Sequence, residues 1–224
     1  MLQNSLVNKI DNIYDKIFEL PIPINEVIGN EKVSLKIKEI IEDNKNKEIF
    51  FFFGRLVKYK GVEVLLNSFS YIQNNKVILI AGEGSLSAQV KENSKKYNNI
   101  FFIERFLNEN EKRFLFKNAT AFLFPSINVS ETLGITQIEA LSLGCPVINT
   151  NLKTAVPYVS IDELTGKTIK LNDNIELSNA INNFPEKNTI NWKKLSTNAK
   201  KRYKKHFSRK IFEKKFLDII SKII

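Results

Sequence analysis

The chain has 224 residues, 43% of them apolar, and a formal net charge of +10, enough apolar content for one globular domain with a second small one. Its longest apolar runs, such as IFFFF and VILIA, are far too short to span a bilayer, and no charged-then-apolar leader opens it. The single cysteine, Cys145, excludes an intrachain disulfide and fits a reducing compartment, so a soluble, cytoplasmic protein is expected. The charge points to anionic partners: phosphorylated ligands, acidic lipid surfaces or nucleic acid. Most basic residues are lysines that read as solvated helix faces, and no arginine-rich or aromatic-interleaved run marks a nucleic-acid binder.

In chain order, Met1 to Asp15 reads as a weak helix, LPIPINE as a proline-rich linker, and Glu26 to Asn46 as charged and helical. A regular alternation then begins. EIFFFFGRL is a strand and GVEVLLNSFSYIQ a helix; KVILIAGEG is a strand, followed by a polar helix from about Leu86 to Tyr97. NIFFIERF is a third strand, with a helix from about Asn108 to Asn118, and TAFLFPS is a fourth. SETLGITQIEALSLGC enters a fifth strand, PVINT, GKTIKL gives a short sixth, and Asn174 to Ile224 is helical. Strands apolar on both faces, each followed by a helix, mean parallel βαβ units. The predicted fold is a doubly wound, mostly parallel Rossmann-like α/β sheet of about six strands with helices on both faces.

Ligands of such sheets bind outside the carboxyl ends of the strands, which selects the loops to inspect. FGRLVKYKG places Arg55 after Gly54, and Lys60 just before a helix at Gly61. Glycine admits close backbone approach, and two cations at a helix start suit a diphosphate; an ordinary turn with solvated basic residues fits equally well. AGEGSL is a weak half of a dinucleotide fingerprint, better read as a tight turn with Ser85 as helix cap. Gly134 falls at a helix N-terminus, whose free amides attract a phosphate. Ile135, Ile138 and Ser142 follow a packed stripe, with Glu139 on its edge and Glu131 in the preceding loop. A buried carboxylate needs donors: a buried lysine, or the hydroxyls of a bound sugar. His206 reads as surface, Trp192 as core packing and Cys145 as a small buried residue.

Taken in order, GRLVKYKG, AGEGSL, FPSINVSETLGITQIEALSLGCPVI and AVPYV resemble the C-terminal domain of retaining GT-B glycosyltransferases, family 4 (glycosyl transferases group 1). The resemblance runs from about Leu20 to the C-terminus, and two glutamates separated by seven residues are the family's signature. It implies that Arg55 and Lys60 clamp the donor's diphosphate and stabilise the leaving nucleotide. Glu139 would accept the ribose hydroxyls, Glu131 would lie against the transferred sugar, and Thr132, Leu133 and Gly134 would meet sugar and phosphate through backbone amides. Arg105, Phe106 and Leu107 would frame the base, with Gly54 opening the first loop. The PYV segment, Val156 to Val159, looks like a variant from enzymes building bacterial surface polysaccharides.

This sequence departs from the family at contact loops: Leu133 replaces a usual aromatic, no glycine lies near Arg105, and NLKTAV replaces a glycine-rich run, so sugar or base preference is expected to differ. The implied organisation is a linker and remnant at 1–26, a donor domain at 27–205 and a crossover helix at 206–224. That helix would expose an apolar face without the N-terminal domain it crosses to. The resemblance implies a hexosyltransferase using a UDP- or GDP-sugar, with no cofactor and no metal, and a glycan or lipid-linked acceptor. A separate N-terminal domain and peripheral association with the inner face of the cell membrane are allowed for as partners; nucleic acid is not. The alternatives are a non-catalytic nucleotide-sugar-binding half of a split or truncated enzyme, and a GT-B epimerase.

Overall fold

Four consecutive phenylalanines fit a strand only if apolar layers cover both of its faces, because successive side chains point to opposite sides. The computed structural model, which describes residues 18, 20, 22–24 and 32–223, shows this arrangement. In β1 (Glu48–Phe53), Ile49 and Phe51 enter one core layer while Phe50 and Phe52 enter the other. β2 (Lys76–Ala81) and β4 (Ala121–Phe124) alternate in the same way and are buried throughout. With β3 (Ile100–Ile103), β5 (Val147–Thr150) and β6 (Gly166–Ile169) they form one six-stranded sheet in the order β3-β2-β1-β4-β5-β6. Every pairing is parallel, with Phe50 opposite both Ile78 and Ala121.

One face carries α1 (Leu35–Asp43), α4 (Glu109–Asn118), α5 (Ile135–Ser142) and α8 (Ile190–His206), which bury Ile37, Leu115, Ile138 and Ala199 against it. The other carries α2 (Val62–Ser68), α3 (Ser87–Ser94) and α7 (Asn174–Asn182), through Leu65, Val90 and Leu177. The chain closes with the short α6 (Val156–Val159) after β5 and with α9 (Arg209–Ile223) after α8. The outer edge of β6 is closed by side chains. Asp162 Oδ1 accepts the Thr168 amide at 2.8 Å and Glu176 Oε2 the Lys170 amide at 3.1 Å, which removes donors that would invite another strand.

The expected doubly wound sheet is therefore present, with corrections in detail. The Met1 to Asp15 helix lies outside the described residues, as does the first part of Glu26 to Asn46; α1 begins only at Leu35. In α2, Ser68 Oγ donates to the Leu65 carbonyl at 2.7 Å, and the chain tightens into a 3-10 turn, Phe69–Tyr71. Ser85 does not cap α3: Leu86 holds the cap position, while Ser87 Oγ accepts the Gly84 amide at 3.0 Å. Ile135 is 50% exposed, on the side of α5 turned away from the sheet; Gln137, Ile138, Ala140, Leu141 and Ser142 form the buried face. His206 is half-buried against Tyr158 and Phe207 rather than free on the surface. Trp192 packs against the core as expected and donates Nε1–H to the Thr120 carbonyl at 2.7 Å. Cys145 is fully buried, which pushes its thiol up to about 12.

Candidate active site

β1 and β4 are neighbours in the sheet, yet the chain leaves β1 towards β2 on one side and β4 towards β5 on the other. The loops there diverge and leave a crevice at the carboxyl ends. Two glycines shape it. Gly61, at φ 73°, lies so close to the β4 loop that a Cβ would stand 1.8 Å from the Pro125 carbonyl oxygen. Gly134, at φ 76°, turns the chain into α5 against the Phe124 ring, which a Cβ would meet at 2.6 Å. The Ile127 amide donates to the Tyr59 carbonyl at 2.9 Å and the Ala155 amide to the Thr132 carbonyl at 2.9 Å, so the loops after β1, β4 and β5 form one wall.

Lys60 and Glu131 meet across this crevice in an ion pair, their side chains 17% and 11% exposed. Ser126 Oγ donates to the same carboxylate oxygen at 3.4 Å, and the Lys60 ammonium lies over the rings of Tyr59 and Phe124 at 5.4 and 5.3 Å. Arg55 is exposed beside it, stacked over Tyr59 at 5.5 Å and donating to the Tyr59 hydroxyl. Gly54 donates its amide to the Ala81 carbonyl at 3.2 Å. Thr132 is exposed and Leu133 partly buried, with the Leu133 carbonyl held by Gln137 Nε2 at 2.8 Å. No side chain caps α5, so its first-turn amides face the crevice without a side-chain acceptor.

Glu139, one turn into α5, pairs with Lys112 of α4 at 3.1 Å. Burial pushes its carboxyl above the usual carboxylate range, opposed by the Lys112 charge. Both Glu131 and Glu139 are met by lysines, one of the two donor types considered for a buried carboxylate. Each is held at a single oxygen among the described residues, Oε2 in Glu131 and Oε1 in Glu139. No buried side-chain oxygen lacks a partner there, so the second oxygens reach solvent.

The β3 loop is tied to α4. Arg105 turns inward to Glu111 in a two-pronged pair, both bonds 2.7 Å, and Phe106 is half exposed, edge-on to Phe53 at 6.3 Å. Leu107 is buried in the core. Glu111 also accepts the amides of Asn108 and Ser34, completing a capping box for α4. The Arg105 hydrogen bonds hold the Glu111 carboxyl below its ordinary value of 4.5, against burial and with help from those amides. A carboxyl whose pKa is lowered by folding stabilises the fold above that ordinary value, and the contribution is lost as pH falls through the lowered one. Glu111→Gln should therefore cost about 1–2 kcal/mol at neutral pH, with Arg105 partly exposed, and nothing in acid. Urea titrations of both chains at several pH values check this.

Sequence reading missed Tyr59, Ser126, Lys112, Glu111, Gln137 and Asn149. Only Glu111 had a visible local signal, the Asn108-x-x-Glu111 pattern of a capping box. Among the described residues no three His, Cys, Asp or Glu side chains cluster as a metal site. No helix there is long and apolar enough to cross a membrane. A groove of about 660 Å³ between β6, α7 and α8 lies at the outer sheet edge, away from Lys60 and the two glutamates.

An open, doubly wound sheet with charged loops gathered at its switch point defines a Rossmann-like ligand-binding domain. Residues 33–202 match the glycosyl transferases group 1, and the chain belongs to that family. It is 28% identical over 174 residues to O-antigen chain mannosyltransferase C of Escherichia coli, covering 76% of this chain and 44% of that protein. It is also 28% identical over 198 residues to the capsular polysaccharide biosynthesis glycosyltransferase CapM of Staphylococcus aureus, covering 82% and 48%. A glycosyltransferase from Rickettsia africae superposes with a TM-score of 0.75 at 22% identity, over 99% of this chain and 60% of that one. Anabaena HepE in complex with UDP and glucose gives 0.69 at 18% identity, over 84% and 53%. These likenesses show the fold, one half of the GT-B architecture. The chain spans less than half the length of these two curated relatives.

Proposed function

We propose that the chain is the donor-binding half of a retaining group 1 glycosyltransferase, which binds a UDP- or GDP-hexose and takes part in hexosyl transfer to a glycan or lipid-linked acceptor. The observation that carries this reading is the meeting of Lys60 and Glu131 at the switch point, beside an uncapped helix start at Gly134. The setting is surface polysaccharide biosynthesis, in keeping with the O-antigen and capsular polysaccharide roles of the Escherichia coli and Staphylococcus aureus relatives, and its place is the cytoplasmic side of the membrane. Lys60, with Arg55 and the α5 dipole, stabilises negative charge on the departing diphosphate, and this electrostatic role asks nothing of a metal. The free oxygen of Glu131 faces the sugar, the amides of Thr132 to Gly134 face sugar and phosphate, and Glu139 takes the ribose hydroxyls. Phe106 offers an exposed ring beside the base.

A second reading is a nucleotide-sugar-binding half that is inactive by itself. Calorimetry with UDP, GDP, UDP-glucose and GDP-mannose tests the first reading: binding of one nucleotide series is expected, and no heat with any of them sinks it. Hydrolysis and transfer assays, with the chain alone and with an N-terminal α/β domain added, separate the two. Transfer by the chain alone removes the second.

A further inference from the structure

Lys112 is an odd residue for its place. It lies on the face of α4 that meets α5, its side chain 9% exposed, where a leucine or methionine would fill the space without a charge to desolvate. Its ammonium reaches Glu139 Oε1 at 3.1 Å and Glu109 Oε1 at 2.7 Å, and lies 5.8 Å from the centre of the Phe53 ring. These contacts fix it on three sides: α5, its own helix and the end of β1. Glu139 is thereby held by one oxygen. No protein group among the described residues donates to the other, Oε2, which is open to solvent.

On the donor-site reading above, we propose that Lys112 is a positioning residue: it anchors Glu139 Oε1 so that Oε2 faces the ribose hydroxyls, and so sets the preference of the site for ribonucleotides over deoxyribonucleotides. A carboxylate accepts from hydroxyl groups with full strength only when ionised and correctly aimed. Burial works against ionisation of Glu139, and Glu109 adds a smaller push in the same direction; Lys112 is the group that opposes both. α5 carries no other charged side chain, the Phe53 ring at the end of β1 faces Lys112, and the Lys200 of α8 lies at the far end of α5, beside Gly144. Without Lys112 the carboxylate loses both its aim and its counter-charge.

The test uses the full chain and compares binding of UDP and GDP with their 2′-deoxy forms, from pH 5 to 8, for the natural chain, Lys112→Met and Lys112→Arg. Phosphate ionisation is common to each ribo/deoxy pair and cancels in the ratio. The natural chain should prefer the ribonucleotide by roughly tenfold or more, the range of a hydrogen bond to a charged group. In Lys112→Met that preference should fall to about twofold at neutral pH, by loss of most of that bond, and disappear at a higher pH than in the natural chain. Lys112→Arg should restore most of it.

A merely structural role would weaken both nucleotides alike and leave the ratio and its pH profile unmoved, which would overturn the proposal. Circular dichroism shows whether each variant is folded; should Lys112→Met not fold, Lys112→Gln, which keeps a donor and drops the charge, serves the same comparison. A natural chain that binds neither UDP nor GDP overturns the donor reading together with this inference. One that binds them without distinguishing the deoxy forms overturns this inference alone.

Discussion

Lys60→Ala should bind nucleoside diphosphates at least about thirtyfold more weakly than the natural chain, because truncating one partner of a buried charge pair costs about 2–5 kcal/mol of affinity. The same substitution should lower stability by about 3 kcal/mol. It leaves Glu131 only 11% exposed, with the long 3.4 Å contact from Ser126 as its remaining donor, and an uncompensated buried charge costs about that much. Isothermal calorimetry and urea titration measure the two effects separately.

A lysine that only stabilises the fold and a lysine that binds diphosphate make the same single-variant prediction, so the pair has to be removed together. Lys60→Met combined with Glu131→Gln replaces two charges by neutral groups of similar size, and such replacements of buried pairs are close to neutral in stability. The double variant should recover to within about 1 kcal/mol of the natural chain while its nucleotide affinity stays lost. Recovery of binding along with stability would mean that Lys60 acts only by neutralising Glu131, and the diphosphate clamp would fall. The geometry favours a direct role, since the Lys60 ammonium sits between two ring faces at the crevice.

The sheet was readable because its strands are covered on both faces: EIFFFF and KVILIA admit no half-exposed arrangement, and their helices recur at βαβ spacing. The crevice followed from chain order, since glycines and charges fall where strands end. What a linear reading lacks is the facing element. Glu139 and Lys112 are 27 residues apart, and Glu131 and Lys60 71 apart. Periodicity along α5 places Glu139 at the core boundary but says nothing about which residue of α4 it meets. Within ENEKRFLFKN, Lys112 looks like any solvated lysine three places after a glutamate. Arg105 shows the same limit. Its loop position suits a ligand contact, and what the sequence does not show is its facing partner, Glu111, which binds it through both terminal guanidinium nitrogens while the side chain stays partly exposed.

Asn149 was the least visible of all, a polar residue in a short strand, PVINT, whose apolar pattern gives no reason for one. It is fully buried, and its Nδ2 donates to the carbonyls of Val156 and Ser160 and is placed towards Gln137 Oε1 at 3.2 Å, while its Oδ1 accepts from Thr168 Oγ1 at 2.8 Å. Gln137 in turn holds the carbonyls of Leu133 and Val156, so one amide fixes the turn into α5 and the start of α6 from beneath. Asn149→Leu keeps the volume and removes every one of these bonds. With about 1–3 kcal/mol for each buried polar group left unpaired, and partial relaxation, the expected loss is about 3–5 kcal/mol. In a domain of this size that lowers the midpoint of thermal unfolding by roughly 10 °C. Nucleotide affinity should fall as well in the fraction that remains folded, because the Thr132–Gly134 turn loses its support; scanning calorimetry with and without saturating UDP or GDP measures both. A variant with natural stability would show that Asn149 only fills space, and one that loses stability but binds normally would show that the turn into α5 is held by Gly134 and Phe124 without it.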